Sequence, residues 1–203
     1  MLFGLLLGLR AGDRRLWLVA LAMLAAQFSI SALNDWADAD ADAAAGRLRP
    51  IPLALVSRRE ALIVALAFGA LGLAGSLAIG RGGAGILLFA IGLGCGWLYD
   101  LALKATPFSF LPFAVAFPLL GVWVGLAAGR PPGTLLPFFA VAAPLGIAIH
   151  LADSVPDLAS DAASGSHGLA VTLGRSRTVM VIQGARVLGS LLVVKSFLDR
   201  LPV

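Results

Sequence analysis

Charged residues are scarce in this sequence, which contains 13% Asp, Glu, Lys and Arg against 60% hydrophobic residues. The single cysteine, Cys95, excludes a disulfide within the chain. The two histidines are far apart in the sequence, so there is no cluster of His and Cys ligands of the kind that binds zinc. The basic residues are spread over many short polar segments and form no stripe suited to nucleic acid. These absences argue against disulfide-stabilised, zinc-dependent and nucleic-acid-binding proteins.

Long apolar runs alternate with short polar segments, a pattern typical of a membrane protein with several spanning helices. In lipid the backbone must satisfy its polar groups within each segment, and the runs lack the polar–apolar alternation of barrel strands. We therefore expect an all-α fold, a polytopic transmembrane helical bundle that forms a single membrane domain over residues 1–203. Residues 1–9 are expected to be the tail of an earlier helix. The six predicted full spans are 16–34, 60–80, 84–99, 108–128, 134–152 and 178–198.

The few acidic residues are concentrated in two short segments. NDWADADADAAAG (residues 34–46) and DSVPDLASDAASG (residues 153–165) contain seven of the eleven acidic residues. We call these segments the first and the second motif. Their equivalent positions are 119 residues apart, and they pair Asn34, Asp38, Asp42 and Gly46 with Asp153, Asp157, Asp161 and Gly165.

The spacing i, i+4, i+8 keeps three side chains within about 80° of one helix face. Each motif is therefore expected to present a stripe of polar ligands at the end of a membrane helix, closed by a glycine with positive φ. One acid in a membrane span costs ~3 kcal/mol on insertion scales, so two stripes need compensating charge. All the candidate ligands are oxygens, which favours Mg²⁺ or Ca²⁺. Asp35 and Asp40 point away from the stripe.

Basic residues accompany both motifs. Arg47 and Arg49 follow the first motif, Arg175 and Arg177 follow the second, and Lys104 lies in the loop between. Arginine suits bidentate contact with phosphate, and lysine acts as a point charge. Acids at helix ends can also simply mark the water interface, but two clusters in matched register favour a metal-bridged phosphate site.

These segments resemble the two aspartate-rich motifs of the UbiA superfamily of intramembrane prenyltransferases. NDWADADAD matches NDxxDxxxD, and DSVPDLASD matches DxxxDxxxD. GRLRP, GWLYDLALK and SGSHGLAVTLG are similar to the family's Arg-Pro segment, its Tyr…Lys segment and its TLG-ending stretch. The resemblance runs from about residue 2 to residue 198. Family members usually have nine transmembrane helices, so we expect this chain to hold the end of the first helix and helices two to seven.

The resemblance implies a Mg²⁺-dependent site for an isoprenyl diphosphate. The aspartates at the second and third positions of each motif would be catalytic through their metal ions. The resemblance implies one metal ion on Asn34, Asp38 and Asp42, another on Asp157 and Asp161 with Asp153 assisting, diphosphate contacts from Arg47, Arg49 and Lys104, and Tyr99 near the ionising bond.

The leading hypothesis is a prenyltransferase that moves an isoprenyl group from a prenyl diphosphate onto an aromatic or other lipophilic acceptor. A second hypothesis is a UbiA-like terpene cyclase, in which the cation closes on its own chain. A third is a truncated, inactive relative that binds ligand without turnover. A fourth is an ion-binding or transport protein, since acids in membrane helices also mark ion pathways. The fourth hypothesis leaves the basic residues beside both motifs unexplained.

The predicted loops differ in positive charge. Loops 35–59, 100–107 and 153–177 carry seven lysines and arginines, whereas loops 81–83 and 129–133 carry two. The three arginines before residue 16 oppose this bias. We expect an integral protein of a bacterial cytoplasmic membrane with its site facing the cytoplasm. The expected partners are a prenyl diphosphate, a lipophilic acceptor, membrane lipid and, where a neighbour closes the bundle, a second copy of the chain.

Overall fold

The computed structural model describes residues 9, 10, 12–135 and 137–198. Residues 1–8 of the predicted N-terminal helix tail lie outside this part. The described residues are predominantly helical and contain no β-strand, so the all-α prediction is confirmed. The chain divides into two compact units: a first unit of Met1–Leu101 with Trp123–Arg130, and a second unit of Ala102–Val122 with Pro131–Val203. The single membrane domain stays a prediction.

Helices coincide with all six predicted spans, although several are longer or shorter than expected. A π-helix, Tyr99–Leu103, continues the third helix, and a 3₁₀ turn, Pro132–Leu135, precedes the fifth. The helices are α1 (Arg14–Ala44), α2 (Arg58–Ala78), α3 (Gly82–Leu98), α4 (Leu111–Ala127), α5 (Pro137–Ser154), α6 (Leu158–Ala163) and α7 (Leu169–Leu198). Helix α7 is kinked at Gly174, whose φ of 73° is not helical.

Three segments in the described part of the chain are long and apolar enough to cross a membrane by length and composition. These are Arg14–Ala44, Arg58–Ala78 and Gly82–Leu103. Leu111–Ala127 and Phe139–Ser154 are shorter apolar helices. Several apolar helices of this kind are what a membrane helical bundle requires.

Small residues bring α1 and α2 together in the first unit. A Cβ added to Gly72 would lie 2.8 Å from the Phe89 ring and 3.2 Å from the Ala22 carbonyl oxygen. A Cβ on Gly75 would lie 2.9 Å from the Ala22 Cβ. Only small residues permit this approach, which is how helices gain dispersion contacts where lipid supplies no hydrophobic driving force.

Two buried serines complete the first unit. Ser29 Oγ accepts a hydrogen bond from Trp97 Nε1 (3.0 Å) and donates to the Ala65 carbonyl (2.7 Å). Ser76 Oγ accepts from Trp123 Nε1 (3.0 Å) and donates to a main-chain carbonyl of α3 (3.2 Å). Each hydroxyl is thus satisfied as both donor and acceptor, which a buried polar group needs.

The second unit has its own close contacts. A Cβ on Gly146 of α5 would lie 2.5 Å from the Phe113 carbonyl oxygen. One turn further along α5, the buried His150 stacks on the Phe113 ring at 4.6 Å between centroids. His150 Nε2 lies 2.9 Å from the buried Ser109 Oγ, which also accepts a hydrogen bond from the Leu169 N–H (3.1 Å). These bonds join the segments that begin α4 and α7 to α5.

Candidate functional site

The first motif lies wholly on one helix. The apolar span was predicted to end near residue 34, but α1 continues to Ala44. The alanines between the acids favour this continuation, since alanine has the highest helix propensity. Asn34, Asp38 and Asp42 therefore share one helix face, as predicted. Asn34 and Asp38 are half-buried, and Asp42 is 4% exposed.

Both motifs end in the same helix cap. In the first motif the Arg47 N–H donates to the Asp42 carbonyl (2.9 Å), and in the second the Ser166 N–H donates to the Asp161 carbonyl (2.9 Å). The glycine before each donor has a positive φ, 63° in the first motif and 78° in the second. This is the Schellman arrangement, in which glycine adopts a left-handed conformation without steric cost. The prediction that a glycine closes each motif is confirmed.

Arginines pair with carboxylates of the first motif. Arg47 Nη1 lies 3.2 Å from Asp42 Oδ1, and Arg49 Nη1 lies 3.9 Å from Asp35 Oδ1. The Asp42 side chain is 5% exposed, so the Arg47 charge compensates for its removal from water. Both arginines predicted to bind diphosphate thus lie beside the motif.

A third arginine contacts the opposite face of the motif helix. Arg58, in the first turn of α2, donates to Asp40 Oδ2 (2.8 Å) and to the Trp36 carbonyl (3.3 Å). Its guanidinium also lies 5.5 Å from the centroid of the Trp36 ring, within cation–π range. Trp36 and Asp40 are each two positions beyond a ligand position, which turns them away from the stripe, as predicted for Asp40. Arg58 therefore joins α2 to the back of the first motif.

The π-helix brings a residue to the first motif that sequence reasoning missed. Tyr99 begins this helix and is half-buried, and the next residue, Asp100, is 4% exposed. Asn34 Nδ2 donates a hydrogen bond to Asp100 Oδ1 (3.1 Å). A signal was present in the sequence, because an acid at the end of an apolar run is costly without a partner. π-Helical turns are also frequent at functional sites.

The second motif is not a single helix, so the predicted stripe on one helix is wrong here. Helix α5 ends at Ser154, a turn follows over residues 155–157, and α6 begins at Leu158. The cause is Pro156, which has no N–H to donate and whose ring clashes with the carbonyl four residues earlier.

The ligand residues of the second motif are placed around this break. Asp153 lies in the last turn of α5, Asp157 is the residue before α6, and Asp161 lies in the first turn of α6. Asp153 and Asp157 are exposed, and Asp161 is half-buried. Lys104 is half-buried in the same unit, and a Cβ on Gly168 would lie 3.1 Å from its carbonyl oxygen. The segment after the second motif therefore packs on the Lys104 backbone.

The donor atoms fit Mg²⁺ in type. Among the residues that the structure describes, no group of three or more His, Cys, Asp or Glu side chains could hold a metal ion. Mg²⁺ does not require such a cage, because it usually binds one or two carboxylates, keeps several waters and takes substrate phosphate as a ligand. The first motif offers two carboxylates and one amide oxygen on one helix face. Oxygen-only ligands of this kind suit Mg²⁺.

Comparison with known proteins supplies the family. A sequence model of the UbiA prenyltransferase family matches residues 1–200. The chain belongs to the UbiA prenyltransferase family. It is 31% identical over 176 residues to digeranylgeranylglyceryl phosphate synthase of Korarchaeum cryptofilum (strain OPF8). That alignment covers 84% of this chain, and the chain spans 60% of the length of that relative.

Solved UbiA structures have the same fold. The apo structure of a UbiA homolog from Aeropyrum pernix K1 matches with a TM-score of 0.77 and 20% identity, covering 94% of this chain and 73% of that chain. The structure of a UbiA homolog from Archaeoglobus fulgidus bound to Cd²⁺ matches with a TM-score of 0.71 and 22% identity, covering 92% and 68%. At these identities the likeness establishes the fold, a UbiA-type helical bundle, and confirms that prediction.

Proposed function

We propose that this UbiA family member is an intramembrane prenyltransferase, which uses Mg²⁺ to transfer an isoprenyl group from a prenyl diphosphate to a lipophilic acceptor. The observation that carries the proposal is the unbroken course of α1 from an apolar span through the first motif. It presents Asn34, Asp38 and Asp42 on one face with Arg47 beside them. A polar diphosphate head and an apolar chain can then be held by one helix.

The diphosphate end is bound by charge. When bound, Mg²⁺ would neutralise the negative charge that develops on the departing diphosphate. Arginine and lysine side chains add hydrogen bonds to the same oxygens. The residues proposed to hold metal ions are Asn34, Asp38 and Asp42 in the first unit and Asp153, Asp157 and Asp161 in the second. The residues proposed to bind diphosphate are Arg47, Arg49 and Lys104.

The transfer step needs a dry apolar environment. The bond between the allylic carbon and the diphosphate oxygen breaks, and its electron pair leaves with the diphosphate. A nucleophilic atom of the acceptor then bonds to that carbon and gives up its proton to the released diphosphate. We place Tyr99 beside the ionising bond. The apolar helices would hold the prenyl chain and keep water from quenching the cation.

We further propose that the acceptor is a glyceryl phosphate lipid with a free hydroxyl group. The support is the name of the 31% identical relative, digeranylgeranylglyceryl phosphate synthase. An aromatic acceptor is the competing substrate class. A membrane orientation with both motifs on the cytoplasmic side completes the proposal and rests on the positive charge of the loops that carry them.

The decisive experiment measures diphosphate release by purified protein in detergent. Geranyl, farnesyl and geranylgeranyl diphosphate are supplied with and without Mg²⁺ to the unaltered protein and to Asp38→Ala and Asp157→Ala. The matched control is Asp40→Ala, because this acid lies on the opposite face of the motif helix from Asp38. We expect Mg²⁺-dependent release that persists in the control and is lost in the other two variants.

Other outcomes identify the competing hypotheses. Release without an acceptor, together with a cyclic product, would indicate a terpene cyclase. Metal-dependent binding of prenyl diphosphate without release would indicate an inactive relative. Metal flux in vesicles without isoprenyl chemistry would indicate an ion-binding or transport protein. The absence of both prenyl diphosphate binding and diphosphate release would contradict the prenyl-diphosphate function itself.

A further inference from the structure

Asp100 is a buried carboxylate for which the proposed reaction has no role. It is 4% exposed, and among the described residues the other aspartate buried to this degree is Asp42 of the first motif. A carboxyl group removed from water needs hydrogen-bond partners. One of the partners of Asp100 lies in the first motif.

The hydrogen bond to Asn34 defines how that amide is oriented. Asn34 Nδ2 lies 3.1 Å from Asp100 Oδ1. The Asp100 oxygen accepts this hydrogen bond, so the nitrogen of the amide, and not its oxygen, faces Asp100. Nitrogen and oxygen are attached to the same planar carbon, so the Asn34 Oδ1 atom is directed away from Asp100. One of the two flipped states of the amide is thereby removed.

Orientation matters because an amide is a neutral and weak metal ligand. A freely rotating amide presents an oxygen in one state and a nitrogen, which cannot coordinate, in the other. Hydrogen bonds from surrounding groups to metal ligands commonly set the orientation of the ligand and raise its basicity. A hydrogen bond from the amide nitrogen to a carboxylate draws electron density toward the amide oxygen, so it contributes to both effects.

We propose that Asp100 is a positioning residue for the metal site of the first motif, which holds the Asn34 amide so that Oδ1 is presented as a ligand beside Asp38. The inference rests on the proposed function, since it assumes that Asn34 binds metal. Asp100 itself acts through Asn34 and does not have to contact the metal or the substrate.

A double-mutant cycle on metal affinity tests the inference. Mn²⁺ binding to the full chain in detergent is measured by the loss of the free-ion electron paramagnetic resonance signal. The proteins compared are the unaltered chain, Asp100→Asn, Asn34→Ala and the double variant. Partners of metal ligands typically contribute 10- to 100-fold in affinity, so we expect Asp100→Asn to weaken Mn²⁺ binding by about tenfold. The double variant should bind no more weakly than Asn34→Ala, because the two residues act as one unit.

Two further readouts separate positioning from a general loss of stability. Diphosphate release by Asp100→Asn should require more Mg²⁺ for half-maximal rate, yet approach the unaltered kcat at saturating Mg²⁺. Ser29→Ala is the matched control, because it removes a buried hydrogen-bonding group from the same helix away from the motif. This control should lower the unfolding temperature and leave Mn²⁺ affinity unchanged.

Exchanging the two side chains provides a rescue. In the chain with both Asn34→Asp and Asp100→Asn, the amide at position 100 can donate to the carboxylate at position 34, so metal affinity should return at least to the unaltered value. This variant also serves if Asp100→Asn does not fold. The inference would be overturned if the losses of Mn²⁺ affinity in the two single variants were additive, or if Asp100→Asn had no effect on Mn²⁺ binding. Diphosphate release by the unaltered chain would still support the proposed function in that case. Absence of both Mn²⁺ binding and diphosphate release in the unaltered chain would overturn both.

Discussion

The carboxylate of Asp42 is already neutralised by a cation of the chain itself. Arg47 lies 3.2 Å from it, and the Asp42 side chain is 5% exposed. If Asp42 binds Mg²⁺ and Arg47 binds diphosphate, both must exchange partners when the two ligands arrive. Metal and guanidinium compete for the same oxygen, so Mg²⁺ and diphosphate should bind most strongly together.

Replacing Arg47 separates its competition with the metal ion from its contribution to diphosphate binding. In Arg47→Gln, Mn²⁺ binding without diphosphate should tighten by up to about fivefold, since a pair with a half-exposed arginine contributes up to ~1 kcal/mol. Binding of farnesyl diphosphate in the presence of metal should weaken. Titration calorimetry in detergent measures both constants, with Arg59→Gln as the control for a lost exposed charge. Weaker metal binding in the absence of diphosphate would show that Arg47 only supports the fold.

Residue-level details of the site were predictable from sequence only in part. The spacing of Asn34, Asp38 and Asp42 predicts a shared face, because helix geometry alone determines it. The partners of those side chains were not predictable. The Asp100 bond and the Arg47 pair depend on rotamers and on residues distant in sequence, which spacing does not encode.

At the scale of elements, the apolar pattern located the helices better than it located their ends. The apolar pattern ends near residue 34, whereas the motif spacing extended the helix to a cap at Gly46, and α1 does reach Ala44. Hydropathy marks where a chain leaves lipid, but a helix ends where its backbone is capped, and here the cap is at Gly46. The break at Pro156 was overlooked because the spacing of the acids agreed with an unbroken helix. The π-helix after α3 has no hydropathy signature.

Helix packing in the second unit depends on Gly146. Gly146→Ala should destabilise the protein by about 1–3 kcal/mol, the usual cost of overpacking, because the new Cβ meets a backbone oxygen 2.5 Å away. The control is Gly184→Ala in α7, where nothing lies within 4 Å of the new Cβ. Alanine there should be neutral or stabilise by up to ~1 kcal/mol through helix propensity. Thermal unfolding in detergent compares the variants, and equal effects would contradict the packing argument.

At the scale of the whole molecule, composition and motif spacing were sufficient for the fold class and the family. A chain with a mean hydropathy of +0.96 and apolar runs of helix length is expected to form a bundle of membrane-spanning helices. The division into two compact units was not predictable, because the first unit includes Trp123–Arg130 from beyond the beginning of the second. Apolar periodicity identifies helices but does not indicate which of them pack together.

The orientation in the membrane can be tested with the single cysteine removed. In a Cys95→Ser background, Gly133→Cys places a thiol in the 3₁₀ turn before α5, and Ser164→Cys places one at the end of α6, which follows α5; both positions are exposed. The positive charge of loop 153–177 predicts that Ser164→Cys reacts with an impermeant maleimide only after the membrane is opened. Gly133→Cys should react in intact cells. The reverse pattern would invert the orientation, and labelling of both in intact cells would show that α5 does not cross.

The bond between Trp123 Nε1 and Ser76 Oγ (3.0 Å) has a consequence for biosynthesis. The α1–α2 hairpin and the Ser76 bond to the Gly85 carbonyl involve residues that leave the ribosome early. Trp123 leaves it 47 residues after Ser76, and after Ala102–Val122, the segment that opens the second unit. The first unit therefore cannot be completed until synthesis of the second unit has begun. A chain whose translation stops before Trp123 would lack the indole donor to Ser76 and the last segment of the first unit.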